Sequence, residues 1–158
     1  MQSGAVILPT LLVVAVLASS GTAQSSRAAS SAGDSAAPAW NKQSTLADGR
    51  IFVTDGAIAV DAALAKPSTL DGLMVIPPAA IERLLRSSTT TEVGSSALSA
   101  RDRGYVTPGG VLLARKYVDF LRRQAAAAGL RFKVAGPRDP VLILIDGRTV
   151  GVLMPLAQ

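Results

Sequence analysis

Two Asp-Gly pairs, Asp55-Gly56 and Asp146-Gly147, each stand between runs of aliphatic and β-branched residues, and this arrangement restricts the fold more than any other feature of the chain. Asp-Gly favours a tight reversal, because Gly adopts positive φ without steric cost. Arg50 to Thr54 and Ala57 to Val60 therefore read as one β-hairpin. Pro140 to Ile145 and Thr149 to Met154 read as a second, turned through Asp146-Gly147-Arg148. Leu73 to Ile76 is expected as a short buried strand and Leu130 to Ala135 as a further one. Two helical segments lie between the hairpins. Pro77-Pro78 opens the first, since Pro is tolerated in a first turn, and Ile81, Leu84 and Leu85 share a face with Arg83 and Arg86 away from it. The second is predicted over Ala114 to Ala128, with Tyr117, Phe120, Leu121 and Ala128 as an apolar stripe and Gly129 as its stop. Ser87 to Ser99 is rich in Ser and Thr and is expected as a loop with weak strand character from Thr89 to Val93, and Asp61 to Asp71 as a connection. The fold class that follows is α+β, with two helices packed on one face of a largely antiparallel sheet.

The first part of the chain has a different composition. Ala5 to Ala18 is almost wholly aliphatic and is followed by Ser19-Ser20-Gly21-Thr22-Ala23, so residues 1–23 read as a signal peptide or as an apolar extension that lacks the usual Lys or Arg at its start. The run is short for a membrane span. Residues 24–49 read as a disordered Ser/Ala-rich linker, because so few large apolar side chains cannot offset the entropy of ordering. Residues 50–158 are left as the folded domain, which Trp40 adjoins at its edge.

The chain of 158 residues contains no Cys and no His. Disulfides, thiol chemistry and thiolate metal sites are excluded, and the commonest general base and transition-metal ligand are missing. With Glu82 and Glu92 as the two glutamates and the aspartates mostly in turn settings, no catalytic constellation is visible. The expectation is a protein that is not an enzyme, with no cofactor and no metal. The formal net charge of +5 suits an anionic partner or simple solubility.

Three pieces of sequence stand in a suggestive order: Val53-Thr54-Asp55-Gly56, then Val75-Ile76-Pro77 before a helix, and at the end Val152-Leu153-Met154-Pro155-Leu156. With Tyr117-Val118-Asp119-Phe120-Leu121 and Pro140-Val141-Leu142-Ile143, they resemble parts of the bacterial DNA sliding clamp family, the beta subunit of the replicative polymerase. The likeness covers residues 50–86 and 111–156 and fails between them, so it implies a shortened or single-domain relative. The family usually has His-Arg-Leu after Thr-Asp-Gly and an Arg after Met-Pro-x; this chain has Ala57-Ile58-Ala59 and Ala157 there.

The resemblance implies a groove for a short hydrophobic peptide of replication or repair proteins, with Thr54, Gly56, Ala57 and Ile58 as one wall and Val152, Met154, Pro155 and Leu156 as the other. The competing reading makes these residues strand-end core. The family's helices face DNA, which implies duplex DNA as a second partner for Arg83, Arg86, Arg115, Lys116, Arg122 and Arg123. Asp119, four residues from both Arg115 and Arg123, supports a solvated ion-pair face instead. Self-association stays open. The alternative function is that of an exported small α+β domain of the cell envelope with a non-catalytic binding role. The clamp-like reading implies a cytoplasmic protein, and a working signal peptide implies a secreted or periplasmic one.

Overall fold

The computed structural model describes residues 37–125 and 129–158. The expectations for residues 1–23, for residues 24–36 of the linker and for Ala128 fall outside them. Among the described residues the chain forms strands β1 (Lys42–Thr45), β2 (Ile51–Thr54) and β3 (Ile58–Asp61), a single helical turn α1 (Ala62–Ala65), strand β4 (Met74–Val75) and helix α2 (Pro78–Leu85). Strand β5 (Thr91–Gly94), a 3-10 turn (Ser95–Ala97), β6 (Ser99–Arg101), β7 (Gly104–Val106), β8 (Leu112–Ala114) and helix α3 (Arg115–Gln124) follow. The chain ends with β9 (Leu130–Val134), β10 (Val141–Ile145) and β11 (Arg148–Leu153).

Eight strands make one sheet in the order β4-β1-β2-β3-β11-β10-β9-β5, and β6-β7-β8 make a smaller one. Every neighbouring pair is antiparallel except β1 with β4. The fold is α+β with a mostly antiparallel sheet. The reversals at Asp55-Gly56 and Asp146-Gly147 form as expected. Asp146 and Gly147 take φ of 50° and 77°, the two positive values that a two-residue hairpin loop with the native twist requires.

The helices do not share a face of the large sheet, which corrects the expected arrangement. Successive strand residues point to opposite faces. Val53, Ile58, Val60, Val141, Ile143 and Leu153 pack with Tyr117, Phe120 and Leu121 of α3. Their neighbours Phe52, Ala59, Leu142, Leu144 and Val152 pack with Ile81 of α2. The reason lies in β10, where Val141, Leu142, Ile143 and Leu144 are all buried. A strand apolar at every position has two faces to cover, and one layer of helices covers only one. Here α2 covers one face, and α3 with the smaller sheet covers the other.

Four further expectations change. The domain begins before residue 50, because Lys42–Thr45 pairs antiparallel with β2, Pro38 is buried, and Trp40 meets Phe120 edge to face at 5.6 Å. The stretch expected as a loop with weak strand character from Thr89 to Val93 forms a full strand there, β5, which borders β9, and reaches the start of the smaller sheet at Ser99. Helix α3 stops at Gln124, with the Ala125 N–H donating to the Leu121 carbonyl. Leu73 to Ile76 is not a buried strand: β4 lies at the sheet's edge with Met74 63% and Val75 74% exposed.

Candidate functional site

The Thr54–Ile58 turn is built by its own polar side chains. Thr54 Oγ1 accepts from the Gly56 N–H at 2.9 Å, and Asp55 Oδ1 accepts from the N–H groups of Ala57 and Ile58 at 3.0 and 3.2 Å. Gly56 sits at φ 99°, a conformation that other L-residues reach only with strain. A distant residue completes the turn: Tyr117, on α3, donates its hydroxyl to Asp55 Oδ2 at 2.7 Å. Burial, and then the bond to an acidic acceptor, push the Tyr117 hydroxyl well above the usual tyrosine range.

The closing strand runs directly against this turn. The Met154 N–H donates to the Ala57 carbonyl at 2.8 Å, and two residues later the Leu156 N–H donates to the Leu112 carbonyl of β8 at 2.9 Å. Gln158 Nε2 also donates to the Gly110 carbonyl. The tail therefore crosses from the large sheet to the small one. Thr54, Gly56, Ala57, Met154, Pro155 and Leu156 are brought together, but not as two apolar walls. Thr54 is buried with its hydroxyl engaged in the turn. Ile58 and Val152 are core residues on opposite faces of the sheet. What remains accessible is a seam of Ala57, Met154, Pro155 and Leu156, with Met154 the most open of them.

The six cations that the family resemblance would assign to DNA do not lie on one surface. Arg83 and Arg86 belong to α2, across the sheet from α3, and Arg86 stands 3.7 Å from Glu82. On α3 the guanidinium groups of Arg115 and Arg122 lie 5.3 and 4.4 Å from the Tyr105 ring centre. Each also donates to a backbone carbonyl, Arg115 to Arg101 at 2.6 Å and Arg122 to Ser95 at 2.7 Å. Tyr105 donates to Asp119 Oδ1 at 2.8 Å, and that bond leads the causes that raise its hydroxyl above the ordinary value. Lys116 stands over the Tyr117 ring at 4.6 Å. Asp119 therefore serves the Tyr105 contact, and the two arginines are held by an aromatic ring and main-chain carbonyls.

Sequence reasoning treated Tyr117 as stripe and Asp55 as turn, and missed their bond, which joins residues 62 apart in the chain. No local pattern signals such a contact. Among the described residues no helix is long and apolar enough to cross a membrane, and no group of acidic side chains could hold a metal ion. Comparison with protein-family models, with curated proteins and with solved structures finds no match to this chain.

Proposed function

We propose that this protein is a non-catalytic interaction module that takes a short hydrophobic peptide of a replication or repair protein along the seam between the Thr54–Ile58 turn and the Met154–Leu156 tail. The observation that carries the reading is the bond from the Met154 N–H to the Ala57 carbonyl, which sets turn and tail side by side while the Met154 side chain stays 36% exposed. Methionine is flexible and polarizable, and it suits a shallow surface that adapts to an apolar anchor. Rigid support comes from both sides. Asp55 and Tyr117 hold the turn, and the Leu156 bond to Leu112 holds the tail. With Ile58 and Val152 in the core, the seam offers less apolar surface than two full walls would, so binding in the micromolar range or weaker is expected.

The test is a titration of the full chain with a labelled pentapeptide bearing Leu and Phe at its last two positions. Saturable binding that Met154→Ala weakens supports the reading. Absence of binding up to about 1 mM peptide, which corresponds to roughly 4 kcal/mol of affinity, overturns it.

A further inference from the structure

We infer that the outer edge of β4 is a strand-addition site, which takes a short extended peptide of alternating apolar and acidic residues from another chain. The inference is independent of the turn and tail seam, because β1, β2 and β3 lie between β4 and β11 in the sheet.

The large sheet has two outer edges, and they are built differently. At β5 the edge carries exposed Thr91 and Glu92, with Glu92 in a 2.6 Å ion pair to Arg131 on β9. Charge of this kind blunts an edge against unwanted pairing. Strand β4 carries no charge of its own, and only its short length and the prolines after it limit what can pair there. Its Met74 and Val75 are the most exposed large apolar side chains among the described residues.

The backbone of β4 is also open. The N–H groups of Met74 and Ile76 donate inward to the Asn41 and Gln43 carbonyls at 3.0 and 2.8 Å. In a parallel pair the intervening residue turns its own N–H and C=O the other way, so Val75 presents both to the outside. Apolar side chains beside a free donor and acceptor recognise an extended backbone.

Length decides what kind of chain fits. Gly72, at φ 86°, turns the chain into the edge, and Pro77 and Pro78 lead it into α2, leaving only Leu73 to Ile76 to pair. Four residues cannot bury the ~1,200 Å² that a stable interface between two folded chains needs. The occupant is therefore a short peptide segment and not a second copy of this protein. Register sets its composition. Met74 stands opposite Lys42 and shares its face, whereas Val75 stands opposite Gln43, whose side-chain amide is held by the Leu70 carbonyl at 3.0 Å. On that shared face the incoming residue stands beside Met74 with Lys42 one strand behind it, which favours an acidic side chain long enough to cross Met74, and on the Val75 face an apolar one is favoured.

The experiment titrates the full chain with acetyl-Val-Glu-Val-Glu-Val-amide while backbone amide signals are followed by NMR. Saturable shifts centred on Val75 are expected, with about tenfold weaker binding when Lys replaces Glu. Binding should vanish when alternate peptide amides are N-methylated on the pairing edge, and also in Val75→Lys, an exposed change that leaves the melting temperature unaltered. Met154→Ala should bind this peptide normally, which separates its outcome from that of the seam. Equal binding of the N-methylated peptide, equal binding by Val75→Lys, no saturation by about 1 mM, or concentration-dependent dimerisation through β4 would each overturn the inference.

Discussion

The Tyr117 hydroxyl donates to Asp55 Oδ2 at 2.7 Å and so joins the buried face of α3 to the turn between β2 and β3. The same carboxylate accepts the N–H groups of Ala57 and Ile58 through its other oxygen, so one side chain both shapes the turn and fixes it to the helix. Tyr117→Phe keeps the ring and removes only the donor. A loss of about 1–3 kcal/mol is expected, since a bond to a carboxylate is worth more than a neutral one. Urea denaturation at neutral pH checks this, and a change of a few tenths of a kcal/mol would show that solvent replaces the hydroxyl.

Alkaline pH should destabilise the fold through the same hydroxyl. Both tyrosines have hydroxyls raised above the ordinary range, Tyr117 mainly by burial and Tyr105 mainly by its bond to Asp119. A neutral hydroxyl whose folded pKa exceeds its unfolded one binds more protons in the native state as pH rises past about 10, so stability falls with pH there. Below that range the contribution is fully present. Thermal melting from pH 8 to 11 should show a declining limb that is shallower in Tyr117→Phe, and an identical limb in both proteins would refute the assignment.

The two helices should respond unequally to truncation. Leu121 is fully buried on α3, and Leu121→Ala should cost about 2–5 kcal/mol by lost transfer energy and the cavity left behind. Leu84, half-buried on α2, loses less contact and less area when cut back. Leu84→Ala should therefore fall below Leu121→Ala in denaturant melts with unchanged slope. Equal costs would mean that the α2 face is packed as tightly as the α3 face.

Gly104 tests the smaller sheet. A Cβ at this position would run into the backbone carbonyl oxygen of Leu113, on the paired strand β8. Main chain cannot swing aside as a side chain can, so β7 and β8 must part. Gly104→Ala is expected to destabilise by about 1–3 kcal/mol, the usual range for overpacking, and to disturb the Tyr105 ring under Arg115 and Arg122. Circular dichroism melting and near-ultraviolet spectra read the two effects, and wild-type values for both would refute the close approach.

Local chemistry made several elements legible in the sequence. The Asp-Gly reversals, the Pro-Pro start of α2 and the apolar stripe of α3 all depend on residues within a few positions of one another, where φ preference and side-chain period act directly. Strand β1 was not legible, because Lys42-Gln43-Ser44-Thr45 has no apolar pattern and is held by its ladder to β2. The same holds for β6, whose three residues are all exposed. The place of the helices was partly legible: the unbroken apolar run Val141-Leu142-Ile143-Leu144 calls for two covered faces, a signal that the expected one-face arrangement overlooked, and nothing in α2 or α3 says which face each takes.

The candidate sites divide in the same way. That Thr54, Asp55 and Gly56 form a tight turn follows from the residues themselves. That Met154 arrives beside Ala57, that Ile58 and Val152 leave for opposite cores, and that Met74 and Val75 end on an open edge depends on strand order. The sequence by itself determined where the chain turns and which segments are amphipathic. Only the tertiary structure decided which strand lies next to which, because β11 enters between β3 and β10 to bury both faces of the sheet at once, and that gain belongs to the whole core and to no single segment.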